Sequence, residues 1–258
     1  MRSRVPAALI VVALGFCPAA SAEPSVQEID KKLEAILRQL RDEEIERVLA
    51  ALQARCEHML RLQKEVYEGT QQVDQTIGGN AGKKATHAEE TRSLQLSDRE
   101  RDIVGEADKV IQLLEAEGSA VAFPEVFTQL RDDMKTVGRR LAKADVGTVT
   151  QVIEQDVIAD LKEMVAALKK AREGSSHQPP TDATTSPPKD PALIETLAEL
   201  KMIRSMQKRV NSRTETYGER YVGEQTSQPE IRQELQDLSD RQKRIFRVNN
   251  DMYRGMNK

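Results

Sequence analysis

Apolar side chains recur along most of this chain in alternating steps of three and four, the spacing of one helix face. The first such run is Val26, Ile29, Leu33, Ile36 and Leu40, behind Ser25-Val26-Gln27-Glu28, which has the form of a capping box. The phase breaks across Arg41-Asp42-Glu43-Glu44, predicting a kink or a helix that changes partners. A second run then extends through Ile45, Leu49, Leu52, Cys56, Met59, Gln63, Val66, Thr70, Val73 and Ile77, about four and a half heptads. Gly78-Gly79-Asn80-Ala81-Gly82 ends it, because Gly and Asn take the left-handed conformation that stops helices. A polar loop is expected over about 78 to 95.

Ser97-Asp98-Arg99-Glu100 reads as the cap of a second helix, with Leu96, Ile103, Ala107, Val110 and Leu114 on one face and a stop at Glu117-Gly118-Ser119. Pro124 suits the first position of a third helix, where its missing N–H costs nothing. That helix carries Phe127, Leu130, Met134, Val137 and Leu141, with Phe123 and Phe127 expected at the corner between helices two and three. After a turn at Asp145-Val146-Gly147, Thr148-Val149-Thr150-Gln151 caps a fourth, which turns Ile153, Val157, Leu161, Met164 and Leu168 inward and ends near Gly174.

Residues 174–190 are rich in Pro, Ser and Thr and read as a flexible linker. Asp190-Pro191 then opens a fifth helix striped by Leu193, Leu197, Leu200, Ile203, Gln207, Val210, Thr214, Tyr217 and Tyr221. Ser227-Gln228-Pro229-Glu230 opens a sixth, striped by Ile231, Leu235, Leu238, Gln242, Ile245, Asn249 and Met252.

The expectation is therefore an all-α chain of six helices in long, coiled-coil-like antiparallel hairpins. It divides into an N-terminal helical region over 23–173 and a C-terminal hairpin over 191–258. An internal duplication is also legible. Gln63-Lys64-Glu65-Val66 with Thr70 matches Gln207-Lys208-Arg209-Val210 with Thr214, and Leu96-Ser97-Asp98-Arg99 with Ile103 matches Leu238-Ser239-Asp240-Arg241 with Ile245. Two related hairpins would then flank a central helix pair. Gln63, Thr70, Gln207 and Thr214 stand at inward positions and are candidates for a polar layer that sets register, since a buried polar residue trades stability for pairing specificity.

Composition narrows the class. Aromatic residues make up 3% of the chain and there is no Trp, too few β-favouring residues for a large mixed α/β enzyme domain. The first 22 residues fit a cleavable secretory signal. Arg2 and Arg4 precede an apolar stretch from Val5 to Phe16, followed by Ala20-Ser21-Ala22. Without that segment 37 basic residues face 42 acidic ones, a net charge of −5, which offers no nucleic-acid footprint. Pro191 to the end carries 13 Lys and Arg against 10 Asp and Glu, a mildly basic third whose charges suit solvated helix faces. Only Cys56 would remain, so a disulfide framework is excluded. Cys56 falls in the apolar stripe as a core residue, with an intermolecular disulfide as the alternative.

At the residues QKEV…T and LSDR…I, and at the run from Glu117 to Phe127, the sequence resembles a family of uncharacterised bacterial exported helical proteins. The resemblance implies export and a helical fold, and carries no activity or catalytic residue. The residues themselves offer no chemistry either. His58, His87 and His177 lack the partners of a metal site, Gly78-Gly79 with Gly82 lacks the ending of a phosphate loop, and Asp132-Asp133, Glu43-Glu44 and Glu89-Glu90 read as solvated charges. No catalytic, cofactor or metal residue is named.

What remains is an interaction protein of the periplasm or cell exterior, non-enzymatic, working as a scaffold through self-association or a protein partner. A holdase-like chaperone or a glycan- or lipid-binding module of the envelope are the alternatives. Its candidate patch is the aromatic and arginine cluster of the C-terminal hairpin: Tyr217, Tyr221, Arg213, Arg220, Arg241, Arg244, Phe246 and Tyr253, residue types that anchor interfaces, with a buried aromatic cluster as the alternative.

Overall fold

The structure is a computed structural model that describes residues 26–80, 82, 84–118, 122–175, 196–220 and 229–254. The signal-like segment, Tyr221 and most of the Pro/Ser/Thr-rich stretch lie outside the described residues. Six helices follow one another: α1 (Val26–Gly79), α2 (His87–Glu117), α3 (Ala122–Leu141), α4 (Thr148–Ser175), α5 (Thr196–Arg220) and α6 (Pro229–Tyr253). The fold is all-α, as the periodicity predicts. The described residues divide into two compact units, one up to Arg41 and the other from Asp42 onward, and that boundary falls at the phase break. The helical backbone itself runs through 41–44 without interruption.

In the unit from Asp42 onward, α1 to α4 form a four-helix arrangement in which each helix runs antiparallel to its neighbours. Rising numbers on α1 meet falling numbers on α2 (Arg55 with Glu106, Gln63 with Glu100) and on α4 (Glu46 with Arg172, Thr70 with Glu154, Asp74 with Gln151). α2 and α3 approach closely. The hydroxyls of Ser93 and Ser97 donate to the carbonyls of Leu141 and Gly138, at 2.7 and 2.9 Å. Small residues let the backbones meet there, and the hydroxyls find buried acceptors.

The core is the one the stripes predict. Leu49, Leu52, Cys56, Met59 and Val66 of α1 are buried, as are Leu96, Ile103, Ala107, Val110 and Leu114 of α2. So are Phe127, Leu130, Met134, Val137 and Leu141 of α3 and Ile153, Val157, Leu161, Met164 and Leu168 of α4. Burying an aliphatic or Phe side chain contributes about 1.5–3 kcal/mol, so this continuous core dominates the stability of the unit. Phe123 and Phe127 sit at the turn between α2 and α3 with ring centroids 6.3 Å apart. Gly118 caps α2 at φ +76°, its N–H reaching Leu114 O, the left-handed stop that glycine adopts without strain.

α2 begins ten residues before the expected cap. Thr86 and Glu89 form a capping box of their own, the Thr86 N–H donating to Glu89 Oε2 at 2.6 Å. Ser97 and Glu100, expected at a helix start, are therefore interior helix residues that face the core.

α5 and α6 pack on α3 and α4. Arg209 and Arg213 of α5 reach Asp160 and Asp156 of α4, and Arg241 and Arg244 of α6 reach Asp133 and Glu125 of α3. The two hairpins thus lie against a central α3–α4 pair. In α5 and α6 the inward row is not quite the expected one. Ile203, Val210 and Tyr217 are buried as expected, but Glu199, Met206 and Arg213 take the places foreseen for Leu200, Gln207 and Thr214, and Met202 is buried beside Ile203. In α6, Arg241 and Val248 are buried where Gln242 and Asn249 were expected. Both helices are turned by one flank because Arg213 and Arg241 must reach Asp133.

Candidate functional site

Three features stand out: a buried carboxylate layer in the α1–α4 core, a buried ion cluster under the C-terminal hairpin, and an exposed apolar stripe at the start of α1.

Gln63 and Thr70, two turns apart on α1, are fully buried. Gln63 Nε2 donates to Glu100 Oε2 of α2 at 3.1 Å, and the Thr70 hydroxyl lies 2.7 Å from Glu154 Oε1 of α4 and 3.0 Å from the Val66 carbonyl. Gln63 Oε1, Glu100 Oε1 and Glu154 Oε2 are buried without a hydrogen-bond partner. Burial pushes the Glu154 carboxyl up to about 7 against the lowering effect of Thr70. Burial, reinforced by the charge of Glu154, holds Glu100 well above the ordinary carboxylate range. The geometry agrees. One hydroxyl proton cannot serve both contacts of Thr70, so a protonated Glu154 that donates to Thr70 lets Thr70 donate to Val66.

The C-terminal members of the expected polar layer behave differently. Gln207 is half-buried and exchanges two amide hydrogen bonds with Gln242 of α6, each 2.8 Å. Thr214 is exposed and donates to its own helix, at Val210 O. It is no layer residue, because the one-flank turn of α5 carries its row to the surface. Positions 207 and 242 stand 144 and 142 residues beyond 63 and 100, the offsets of the sequence duplication.

The arginine and aromatic residues expected as an exposed patch are largely internal. Arg213 and Arg241 are buried and converge on Asp133, itself buried in α3. Arg213 Nη2 donates to Asp133 Oδ2 at 2.8 Å and Arg241 Nη1 lies 2.5 Å from Oδ1. Burial opposes the charge of Asp133, but the two guanidinium groups outweigh it and hold the carboxyl far below its usual range. With the Asp156 contact of Arg213 and the Asp160 contact of Arg209, three carboxylates meet three guanidinium groups. Tyr217 is buried and donates its hydroxyl to Glu234. Arg244 is half-buried, held by Glu125 and Asp132. Only Phe246 and Tyr253 are exposed as a patch would require. Tyr221 and the side chain of Arg220 lie outside the described residues.

Asp133 and Glu100 were missed as interior residues, though their spacing shows it. Glu100 falls between Leu96 and Ile103, and Asp133 between Leu130 and Val137, each on the 3–4 progression of the core face. Cys56 is fully buried, and burial pushes its thiol up to about 12. That environment supports the core reading and leaves the thiol unreactive. Among the described residues no group of three or more His, Cys, Asp or Glu is placed to hold a metal ion, and no helix is long and apolar enough to cross a membrane.

The third feature is the first part of α1. Every residue from Val26 to Leu40 is exposed, including Val26, Ile29, Leu33, Ile36, Leu37 and Leu40, each half exposed or more. Compared with protein-family models, curated proteins and solved structures, the chain gives no match.

Proposed function

We propose that this protein is a non-enzymatic interaction module or scaffold, exported to the periplasm or cell exterior, that engages its partner through the first four turns of α1. The exposed aliphatic row from Val26 to Leu40 carries this reading. Contiguous apolar surface of that kind marks an interaction site, and the unit from Asp42 onward supplies a well-packed support for it. The amide contacts Gln63–Glu100 and Gln207–Gln242, at corresponding positions, support a duplicated hairpin as the origin of that support.

Cross-linking in the native envelope tests the proposal. Discrete adducts are expected for the wild type and are lost when Leu33 and Ile36 are both replaced by Asp. A monomer that forms no adducts and binds no apolar dye overturns it.

A second reading, an envelope lipid-binding module, is favoured by one observation. An open groove of about 390 Å³ between α2 and α3 is lined by Val104 and Met134, with Arg101, Lys135 and Arg139 around them. An apolar lining under three cations suits a single-chain anionic lipid. Such a lipid is expected to raise the thermal midpoint of the wild type and leave a Lys135→Glu/Arg139→Glu variant unchanged. Equal shifts in both would remove this reading.

A further inference from the structure

The exposed row at the start of α1 has the register of a coiled-coil seam. Val26, Leu33 and Leu40 occupy the a positions of a heptad, Ile29 and Ile36 the d positions and Leu37 an e position, while Gln27, Lys31, Glu34 and Arg38 lie on the far side. We infer that the occupant of this seam is further copies of the same chain, associated in parallel and in a number greater than two, most simply four. The inference rests on the interaction reading above and names its partner.

Three observations carry it. The first is side-chain shape. Leu at a with Ile at d packs poorly between two strands and shifts coiled coils to trimers and tetramers, and Leu37 at e widens the seam in the same sense.

The second is charge. Parallel neighbours set the e positions of one helix beside the g positions of the next. Here Lys32 at g faces Leu37 at the following e, and Asp30 at e faces Ser25 at the preceding g, so no like charges meet across a parallel seam. An antiparallel pair would set e against e (Asp30, Leu37) and g against g (Lys32, Gln39), which in one register brings Asp30 to Asp30 and Lys32 to Lys32.

The third is area. Six aliphatic side chains, each half exposed or more, present on the order of 500 Å² per copy. Two copies would bury about 1,000 Å², the lower edge of a specific interface. In a ring of four, each helix is covered on two sides and the widened seam closes.

Sedimentation equilibrium of the chain, in the form its expressing cell yields, is the test. The expected mass is about four times that of one chain, whose full length is 28.9 kDa. The Leu33→Asp/Ile36→Asp variant is expected at one chain, with the thermal midpoint of the unit from Asp42 onward unchanged. Ile29→Cys chains should join to one another on oxidation, as parallel seams require, and failure to join overturns the parallel arrangement. A variant that keeps the assembly overturns the inference. So does a monomeric wild type, and dye binding then separates the outcomes. A monomer whose stripe binds dye leaves the interaction reading standing with a different partner, whereas a monomer that binds none removes both.

Discussion

Replacing Asp133 by Ala is expected to lower the unfolding free energy by about 3–5 kcal/mol, the cost of stripping a buried ion pair of one partner. Among the described residues Asp133 is the only carboxylate in contact with both Arg213 and Arg241, and all three side chains are buried. Without it Arg241 loses the partner it reaches on α3, and Arg213 retains only Asp156. Guanidinium groups do not neutralise themselves by losing a proton, so the charge stays inside and the α5–α6 hairpin pulls away from α3. Urea unfolding followed by circular dichroism reads the loss. A companion variant guards against simple failure to fold. Asp133→Leu with Arg213→Met and Arg241→Met exchanges the cluster for apolar side chains and is expected to be as stable as wild type or more so. If Asp133→Ala cost under about 1 kcal/mol, the range of surface ion pairs, the cluster would not be what joins the hairpin to the central pair.

The second large effect has the opposite sign. Glu154→Gln and Glu100→Gln are each expected to stabilise the protein above neutral pH. Both carboxyls titrate higher in the folded chain than in the unfolded one. Their contribution is therefore complete below about pH 4.5 and is lost as the pH rises, for Glu154 through about 7. A rise from 4.5 to about 7 corresponds to about 3 kcal/mol at alkaline pH.

Glutamine resembles the protonated acid. At 154 its amide can donate to Thr70 while Thr70 donates to Val66. At 100 it can exchange two hydrogen bonds with Gln63, satisfying the unpartnered Gln63 Oε1 in the manner of Gln207 and Gln242. Thermal unfolding from pH 4 to pH 9 should show wild-type stability falling across this range and falling less in either variant. Asp160 is also buried and pushed up to about 7 against the pull of Arg209, so a slope survives in both variants and the comparison with wild type is what counts. Identical slopes in wild type and variants would mean that these carboxylates stay ionised and hydrated. Asp133 acts in a separate window. Its carboxyl is held low, so the stability it adds is present above the usual Asp range and is lost as the medium becomes strongly acidic.

Much of this architecture is legible in the order of residues. Wherever one face alone carries Leu, Ile, Val, Met and Phe, as from Leu49 to Val73 and through α3 and α4, the pattern names the buried residues correctly. It names Gln63 and Thr70 as well, because they hold the same phase. It misplaces the start of α2, where two capping sequences compete and the Thr86–Glu89 pair prevails.

It also misplaces the inward row of α5 and α6. There each helix carries usable residues on two adjoining rows, and spacing alone cannot say which row turns in. The choice between Met206 with Arg213 and Gln207 with Thr214 belongs to Asp133, which lies 80 residues before Arg213 and on another helix.

The sequence by itself thus determined the helices, their core faces and the break at Arg41–Glu44, because these follow from local periodicity and capping. Only the tertiary structure decided that the arginines of the C-terminal hairpin lie inside, that Glu100 pairs with Gln63 and Glu154 with Thr70, and that the stripe before Arg41 is left bare. Charge partners depend on residues distant in the chain, and no local pattern records them.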